Sequence, residues 1–375
     1  MSEIRKILIV GGGIGGLAAA VAARRVGVEV DLVEIQTDFK VYHVGIIVQG
    51  NFVRAMAALG IADEAIAVGY PQSGVVFQDL HGKVLMDIPG IPAAGPQYPT
   101  DIGMARPALH RVLIDAARRH GARMSVGITF DSMTPSAESV DVQFTDGSRG
   151  RYDLVIGADG LHSKVRRTFF PDAPEPRFTG QGVWRYNVPR PPELTRTIMC
   201  LGLVGGKCGA VPLTEKTAYI LLVQAEPGNP RHPDDKLAEI FRGRLAACTG
   251  LFGQLRDMIV DSSQVVYRPL YQLLVPPPWY RGRIVLLGDA AHATTPHLGQ
   301  GAAQAVEDAV VLGELLGKRL PLEELQRQYM QRRFARCKFI NEASVQIGEW
   351  EQHPSPDEDP IGLTKKMLEV VAEPI

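Results

Sequence analysis

The order of apolar and polar residues at the start of the chain predicts a strand, a helix and a second strand. Residues 6–10 (KILIV) are a short apolar run suited to a buried parallel strand, and residues 17–26 are rich in alanine and helical in pattern. Residues 28–33 predict another strand, which ends at Glu34. Together they predict a βαβ unit that opens an α/β fold.

The rest of the first half continues this domain. Residues 106–120 predict a helix, because Pro107 suits the first helical position and apolar side chains recur on one face. Residues 140–144 and 151–156 alternate on either side of Asp146-Gly147, which predicts a β-hairpin.

The pattern changes to β-rich runs separated by Gly and Pro between about residues 177 and 274. Residues 283–287 then predict another short buried strand, followed by helices over about 299–316 and 322–347. A lobe therefore interrupts the nucleotide-binding domain. The predicted parts are residues 1–176 (first part of that domain), 177–276 (β-rich substrate-binding lobe) and 277–375 (second part and C-terminal helices).

Composition narrows the class of protein. The 375 residues are 45% hydrophobic and 22% charged, which is typical of a globular protein with a sizeable core. The 40 Lys and Arg residues balance 41 Asp and Glu residues, so we expect neither nucleic acid nor an anionic membrane as a partner. The four cysteines show no CxxC or CxxxC spacing, which indicates neither a metal site nor a disulfide framework and favours a cytoplasmic protein.

The apolar N-terminal stretch is not expected to be a signal peptide or a membrane span. Residues 7–23 contain five glycines, lack an AxA-type cleavage site and run straight into Arg24 and Arg25. The stretch instead predicts a strand, a turn and a helix.

The first chemical motif is Gly11-x-Gly13-x-x-Gly16, between the predicted strand and helix. Its glycines allow a tight turn, close approach of a pyrophosphate and close packing of helix against strand, and the intervening Ile14 and Gly15 belong to the same contact region. Glu34, eighteen residues after Gly16, can accept hydrogen bonds from ribose hydroxyls and would repel a 2′-phosphate. These features predict a Rossmann-like site for FAD or NAD.

Two later motifs also place polar groups at strand ends. Residues 153–160 (DLVIGADG) predict a buried strand that brings Asp159 to the carboxyl edge of the sheet, where ligands of such folds bind. The strand IVLLG similarly delivers Asp289. The residues that follow Asp289 in this third motif lead into a helix whose N-terminus can face an electron-rich ring system. The candidate contacts in this part of the motif are Pro296, Gly299, Gly301 and Ala302.

In this order and spacing the three motifs resemble the single-component FAD-dependent aromatic hydroxylases, the group A flavoprotein monooxygenases typified by p-hydroxybenzoate and salicylate hydroxylases. The resemblance implies that the glycine loop binds the ADP part of FAD and that Asp159 lies near FAD and the pyridine nucleotide. It also implies that Asp289 holds the ribitol and that the next helix points at the flavin pyrimidine. Arg106, at an Arg-x-x-Leu helix start, would also contact FAD.

The same resemblance implies the reaction. NADH or NADPH would act as a transient electron donor, and a small phenol, benzoate, hydroxypyridine or quinoline would be hydroxylated with O2 through a flavin C4a-hydroperoxide. We expect a monomer or homodimer. Residues 41–51 (VYHVGIIVQGN) match the loop that runs along the flavin, so His43 and Gly45 are also candidate FAD contacts.

Two residues are candidates for catalysis. A base near the ring would assist hydroxylation of a phenol, and related enzymes often use His and Tyr in the inserted lobe. In this sequence Lys207 and Val211 stand near those positions, so Lys207 is a candidate substrate contact, with a solvated strand lysine as the alternative. His297, beside the predicted pyrimidine site, is the other candidate, with a capping or packing role as its alternative.

Other functions stay open on the sequence alone. The absence of that His and Tyr is compatible with a non-catalytic or sensory flavin-binding protein. Residues 184–189 (WRYNVP) resemble part of the WxWxIP stretch of flavin-dependent halogenases, although the second Trp is replaced by Tyr186. An FAD-dependent dehydrogenase is a further alternative.

Overall fold

The computed structural model describes residues 4–39 and 41–375. Its strands form four sheets. In chain order the strands are β1 (Lys6–Val10), β2 (Glu29–Glu34), β3 (Gly45–Gln49), β4 (Gly69–Gln72), β5 (Val75–Gln78), β6 (Val84–Ile88), β7 (Asp101–Ala105), β8 (Arg123–Val126), β9 (Phe130–Pro135), β10 (Val140–Phe144), β11 (Arg149–Tyr152), β12 (Leu154–Gly157), β13 (Arg177–Pro189), β14 (Thr197–Leu203), β15 (Gly206–Pro212), β16 (Thr217–Ala225), β17 (Val266–Gln272), β18 (Tyr280–Arg281) and β19 (Ile284–Leu286).

The helices lie mainly around the first sheet and at the C-terminus. They are α1 (Ile14–Arg25), α2 (Gly50–Ala58), α3 (Ala62–Ala67), α4 (Arg106–Arg119), α5 (Lys164–Phe169), α6 (Leu237–Arg244), α7 (Gly250–Asp257), α8 (Asp289–His292), α9 (Gly301–Gly317), α10 (Leu322–Gln352) and α11 (Pro360–Ala372). Within residues 4–39 and 41–375, none of these helices has both the length and the apolar character that a bilayer crossing requires.

The main sheet has the order β18-β19-β12-β1-β2-β8 and is parallel apart from its β18 edge. Its central strands are buried on both faces, in a core shared with helices α1, α4 and α9 and with the three-stranded sheet β11-β10-β9, as the apolar run KILIV predicts. The alanines of α1 let α9 pack closely against it, so the first and last parts of the domain share one core. The α/β fold with a parallel sheet and an interrupting lobe is therefore confirmed.

The predicted hairpin is correct at its turn but too long in its second strand. Strands β10 and β11 pair antiparallel, with Val140 opposite Tyr152. The chain then leaves the hairpin at Asp153, whose carboxylate accepts hydrogen bonds from the backbone N–H groups of Arg5 and Lys6 at 2.8 Å. Beyond Asp153, β12 runs parallel to β1 in the main sheet. All four residues of β12 are apolar or glycine and are buried there, which an exposed hairpin strand would not allow.

The lobe is built on a seven-stranded sheet with the order β17-β13-β16-β15-β14-β5-β6. Strand β5 joins it parallel to β14, with Val75 opposite Thr197, so the sheet extends beyond the predicted span of residues 177–276. One face packs on α6 and α7 around Trp184 and Phe241. The other face looks towards the main domain, and the space between them is the candidate site.

Candidate active site

One large cavity lies between the carboxyl ends of the main-sheet strands, the lobe sheet and the C-terminal helices. Its volume is about 680 Å³, within the range of small-molecule and cofactor sites. Residues of the glycine loop, the GADG segment and the stretch after β19 line one side, and strands β13 to β17 line another. The chain thus brings its three separated motifs to one space.

The glycines of the first motif have two different surroundings. A Cβ on Gly16 would lie 2.0 Å from the carbonyl oxygen of Gly11, and Gly11 itself has φ +110°, so both are required for the turn. A Cβ on Gly13 would meet nothing within 4 Å. Gly13, Ile14 and Gly15 line the cavity at the N-terminus of α1. Backbone N–H groups and open space therefore coincide at Gly13, as a phosphate site requires.

Glu34 lies at the end of β2, beside the glycine loop but outside the cavity lining. Its two oxygens accept hydrogen bonds from the N–H groups of Gly12 and Gln36, each at 2.8 Å. The side chain is half-buried, so part of it stays accessible to solvent beside the glycine loop.

Asp159 does not face the cavity. One of its oxygens accepts a short hydrogen bond from Ser163 and the other accepts from the N–H of Val165 at 3.0 Å, so the side chain fixes the start of α5. Burial raises the pKa of this carboxyl. The neighbouring Ala158 and Gly160 line the cavity instead, so the GADG segment presents small residues to this space.

Asp289 and Arg106 both line the cavity, and their opposite charges interact electrostatically. Asp289 opens α8 and its side chain is exposed to the cavity, although it lies deep in the molecule. Burial raises the pKa of the Asp289 carboxyl, and the charges of His292 and Arg106 oppose that rise. Burial lowers the pKa of Arg106, and the largest effects that oppose this fall are the electrostatic interactions with Tyr219 and Asp289.

The loop before α9 forms the next part of the wall, with Pro296, Gly299, Gly301 and Ala302 all lining the cavity. Gly299 has φ +67°, which explains the choice of glycine there. Gln49 donates to the carbonyl oxygen of Leu298 at 3.2 Å, which ties this loop to strand β3. The N-terminus of α9, with its free backbone N–H groups, therefore lies at the cavity wall, and the loop before it is held in place by strand β3.

His297 and Lys207 meet at a third residue, Glu351 of α10. The Lys207 Nζ lies 2.8 Å from Glu351 Oε1, and the His297 Nε2 lies 3.3 Å from Glu351 Oε2. His297 Nδ1 is 2.8 Å from Thr295 Oγ1, and Gln181 donates to Glu351 Oε2 at 3.2 Å. Lys207, His297 and Glu351 all line the cavity. The solvated-strand alternative for Lys207 is wrong, since that residue is only 8% exposed.

The protonation states of this cluster follow from its burial and its charges. Burial alone raises the pKa of Glu351, but the adjacent Lys207 charge and the His297 contact outweigh it and lower the pKa to about 2. Burial lowers the pKa of His297, and Glu351 only partly offsets this effect. Near neutral pH the Glu351 carboxyl is therefore ionised and the His297 imidazole is neutral.

A second polar group on the cavity wall consists of Arg185 and Tyr219 on the lobe strands β13 and β16. Burial, reinforced by the charge of Arg106, lowers the pKa of Arg185 to about 10. Among residues 4–39 and 41–375, no carboxylate lies within ion-pair distance of Arg185 or Arg106. Arg185 therefore faces a largely apolar cavity without a protein counter-ion, whereas the charge of Arg106 is opposed by that of Asp289.

His43 is not brought to the cavity. Its side chain is exposed, and its Nε2 lies 3.1 Å from the carbonyl oxygen of Gln264 in the lobe. Gly45 is buried, and a Cβ there would lie 2.2 Å from the ring of Tyr219. Gly45 thus allows β3 to pass the cavity residue Tyr219, whereas His43 joins the domain to the lobe.

Two further groups lie outside the cavity. The Sγ atoms of Cys200, Cys208 and Cys248 come within 4.8 Å of one another on the other face of the lobe sheet, a proximity that the sequence spacing did not indicate. His292 lies 2.6 Å from a carboxylate oxygen of Asp308 in a buried network. Both groups are fully enclosed by the packed core.

Comparison with known proteins decides the family. Residues 5–343 match the family described as the FAD binding domain. The chain belongs to the FAD-binding domain family. A 2-heptyl-3-hydroxy-4(1H)-quinolone synthase of Pseudomonas aeruginosa is 31% identical over 357 residues, covering 93% of this chain and 90% of that protein.

Other members of the FAD-binding family support the same conclusion. An FAD-dependent urate hydroxylase of Klebsiella pneumoniae is 29% identical and covers 89% of this chain and 87% of its own. The structure of Klebsiella pneumoniae HpxO with FAD and uric acid superimposes with a TM-score of 0.86 at 26% identity, covering 98% of this chain and 96% of that one. The resemblance to FAD-dependent aromatic hydroxylases is confirmed, and FAD is the cofactor of this group.

Sequence reasoning missed Glu351 and Arg185. The predicted helix ends at residue 347, whereas α10 continues to Gln352 and carries Glu351 into the cavity. Arg185 lies next to Trp184, whose side chain is fully buried on the opposite face of the strand. The alternation of side chains along β13 could have indicated Arg185, because a Trp184 side chain in the core places the next side chain on the cavity face of the sheet.

Proposed function

We propose that the protein hydroxylates an aromatic or heteroaromatic ring, with FAD as bound cofactor and NADH or NADPH as transient electron donor. The observation that supports this most directly is a single cavity that joins the glycine loop to a buried, charged cluster on the substrate lobe. FAD would supply the redox chemistry, by accepting electrons from the nicotinamide and activating O2 for transfer of one oxygen atom to the ring.

The surroundings fit FAD. Space is open at Gly13, where N–H groups of the loop and the N-terminus of α1 would hold the diphosphate. Glu34 would accept hydrogen bonds from the adenosine ribose. Asp289, a carboxylate exposed to the cavity, would hold ribitol hydroxyls, and Arg106 would supply a nearby positive charge.

The loop after β19 would hold the ring end of the cofactor. Pro296, Gly299, Gly301 and Ala302 present backbone and small side chains to the cavity, so a flat heterocycle can approach the N-terminus of α9 closely. Negative charge that develops on that ring during reduction would lie at the positive end of the helix.

His297 is the proposed proton acceptor for an ionisable substrate. Its imidazole is neutral near pH 7 because burial lowers its pKa. The Glu351 carboxylate can only accept a hydrogen bond, so Nε2 carries the proton of the neutral ring, and Nδ1, beside the Thr295 hydroxyl, is the nitrogen that would take a further proton. Glu351 would hold the ring and stabilise the resulting imidazolium, and Lys207 keeps Glu351 ionised. Loss of a ring proton makes the ring more electron-rich at the position to be hydroxylated.

Arg185 and Tyr219 would favour the anionic form of the substrate. A guanidinium without a protein counter-ion on a low-dielectric wall attracts a phenolate or a related anion more strongly than the same charge would in water. The apolar side chains around it, which include Val183, Leu221 and Val223, would exclude water during oxygen transfer.

The relatives favour a heteroaromatic ring over a simple benzoate, because one is a quinolone synthase and another is a urate hydroxylase. We also infer a reducing, cytoplasmic location, for which the four free buried cysteines are the supporting feature. A monomer or homodimer stays the prediction for assembly.

Steady-state oxidation of NADH and NADPH by the FAD-loaded protein, with phenols, hydroxypyridines, hydroxyquinolines and urate added in turn, tests this function. We expect at least one ring compound to accelerate NADH or NADPH oxidation tenfold or more and to be recovered with one added hydroxyl. A flavin-binding sensor would hold FAD but would yield no hydroxylated product with any compound, which would overturn the proposal.

A further inference from the structure

The C-terminal helix α11 forms one wall of the cavity and lies outside the part of the chain that matches the family, which ends at residue 343. Ile361, Thr364, Met367 and Leu368 face the cavity, at spacings that place them on one side of a helix. Lys366, about 170° around the helix from the middle of this face, is exposed. The wall is therefore an amphipathic helix with its uncharged face inward.

Several hydrogen bonds fix α11 in this position. Arg54 donates to the carbonyl oxygens of Ala372 and Val371 at 2.9 and 3.0 Å, and Arg336 donates to the carbonyl oxygen of Pro374 at 2.7 Å. At the other end Asp359 accepts from the N–H of Gly362 at 2.7 Å. Cations at the C-terminus and a carboxylate at the N-terminus also suit the helix dipole. The wall is thus a built part of the fold.

Helix α11 packs against the loop that carries His297. Met367 is buried in a cluster with Leu298 and Ile347, and Trp350 packs on the same cluster. Leu298 follows His297 in sequence and Trp350 precedes Glu351, so apolar surface begins where the charged cluster ends. From Ile361 to Leu368 this surface extends along about 10 Å of helix.

We propose that this surface, defined by Leu298, Trp350, Ile361, Thr364, Met367 and Leu368, is a subsite for a hydrocarbon substituent on the substrate ring. The inference rests on the proposed function, because the ring itself would lie at the Lys207–Glu351–His297 cluster. None of the six residues of this surface is charged, and the charged side chain at its edge is Glu358, which lines the cavity just before the first turn of α11 with Oε1 buried and without a hydrogen-bond partner among the described residues. An uncharged alkyl chain is therefore the occupant that matches this wall.

Two series of compounds test the subsite, 4-alkylphenols and 2-alkyl-4-hydroxyquinolines, each from methyl to heptyl. Dissociation constants are measured with the FAD-loaded protein from the change in flavin absorbance, and NADH oxidation is followed in parallel. Burial of each methylene is worth about a fourfold change in affinity. We expect the dissociation constant to fall roughly three- to fourfold per added carbon in at least one series, until the chain fills the subsite.

A variant that narrows the subsite sharpens the test. Thr364→Phe should weaken binding of the heptyl compound at least tenfold and change binding of the methyl compound by less than twofold. Lys365→Ala, at an exposed position of the same helix outside the cavity lining, should leave the whole series unchanged. Equal loss of methyl and heptyl binding in Thr364→Phe would overturn the subsite. If this variant fails to retain FAD, the chain-length series of the natural protein decides alone.

The two hypotheses fail in different ways. If the methyl compounds bind and accelerate NADH oxidation but affinity does not depend on chain length in either series, the subsite is wrong and the proposed function stands. If FAD is bound and no compound of either series binds or accelerates NADH oxidation, hydroxylation of a phenol-type ring is wrong, and the subsite is overturned with it.

Discussion

Substitution of Glu351 by Gln removes the one carboxylate that joins Lys207 to His297. The side chain of Glu351 is 15% exposed and lies 2.8 Å from the Lys207 ammonium. Its pKa falls from an ordinary value of 4.5 to about 2, chiefly because of the Lys207 charge acting against burial. At about 1.4 kcal/mol per pKa unit, this difference corresponds to about 3 kcal/mol of folding stability.

The sign of the pH dependence follows from the lowered pKa. A carboxylate with a lowered folded-state pKa stabilises the fold fully above its unfolded pKa, and this contribution is lost as the pH falls from about 4.5 towards 2. Glu351→Gln should therefore lower the free energy of unfolding by about 3 kcal/mol at pH 7, and the difference from the natural protein should shrink below pH 4.5.

Denaturant unfolding at saturating FAD measures this difference. Glu342→Gln on the same helix is the matched control, since Glu342 forms a surface pair with Lys338 at 3.6 Å and such pairs are worth less than about 1 kcal/mol. Equal stability of Glu351→Gln and the natural protein at pH 7, in urea or guanidinium, would refute the buried ion pair as described.

Three further predictions concern the cofactor and the base. Because burial lowers the pKa of His297, kcat/KM for an ionisable ring should be constant above about pH 6.5 and fall at lower pH. Glu351 raises the pKa of His297, so Glu351→Gln should move that fall to lower pH. A profile of kcat/KM measured from pH 5 to 9 checks both expectations. Asp289→Ala should raise the Kd for FAD tenfold to hundredfold, by loss of hydrogen bonds to a charged acceptor, as measured by flavin fluorescence. Gly13→Ala should weaken FAD binding without lowering the thermal midpoint of the apoprotein, whereas Gly16→Ala, whose Cβ would meet the Gly11 carbonyl, should lower both.

Much of the fold was predictable because local patterns carry it. The strand-loop-helix sequence at Gly11 to Gly16 and the buried strands before Asp159 and Asp289 have periodicities that depend only on neighbouring residues. The end of β11 at Tyr152 was not predictable, because the break depends on hydrogen bonds between Asp153 and the distant N-terminal strand. The parallel pairing of β5 with β14 is likewise a long-range contact.

The site was predictable at its cofactor end and only partly at its substrate end. Small residues and strand-end carboxylates form motifs that locate a dinucleotide, so Gly13 and Asp289 were found. Lys207 and His297 were found as isolated candidates, but the role of each depends on Glu351, which is 144 residues from one and 54 from the other. A contact such as that of Glu351 with Lys207 and His297 depends on tertiary packing, so no local sequence pattern indicates it.

Oxygen incorporation tests the central claim most directly. The FAD-loaded protein is supplied with NADH or NADPH, ¹⁸O2 and the ring compound that most accelerates nicotinamide oxidation, and the product is analysed by mass spectrometry. Monooxygenation predicts a product that carries one ¹⁸O atom, with close to one nicotinamide oxidised for each ring hydroxylated. Nicotinamide oxidation without ¹⁸O in any ring product would contradict it.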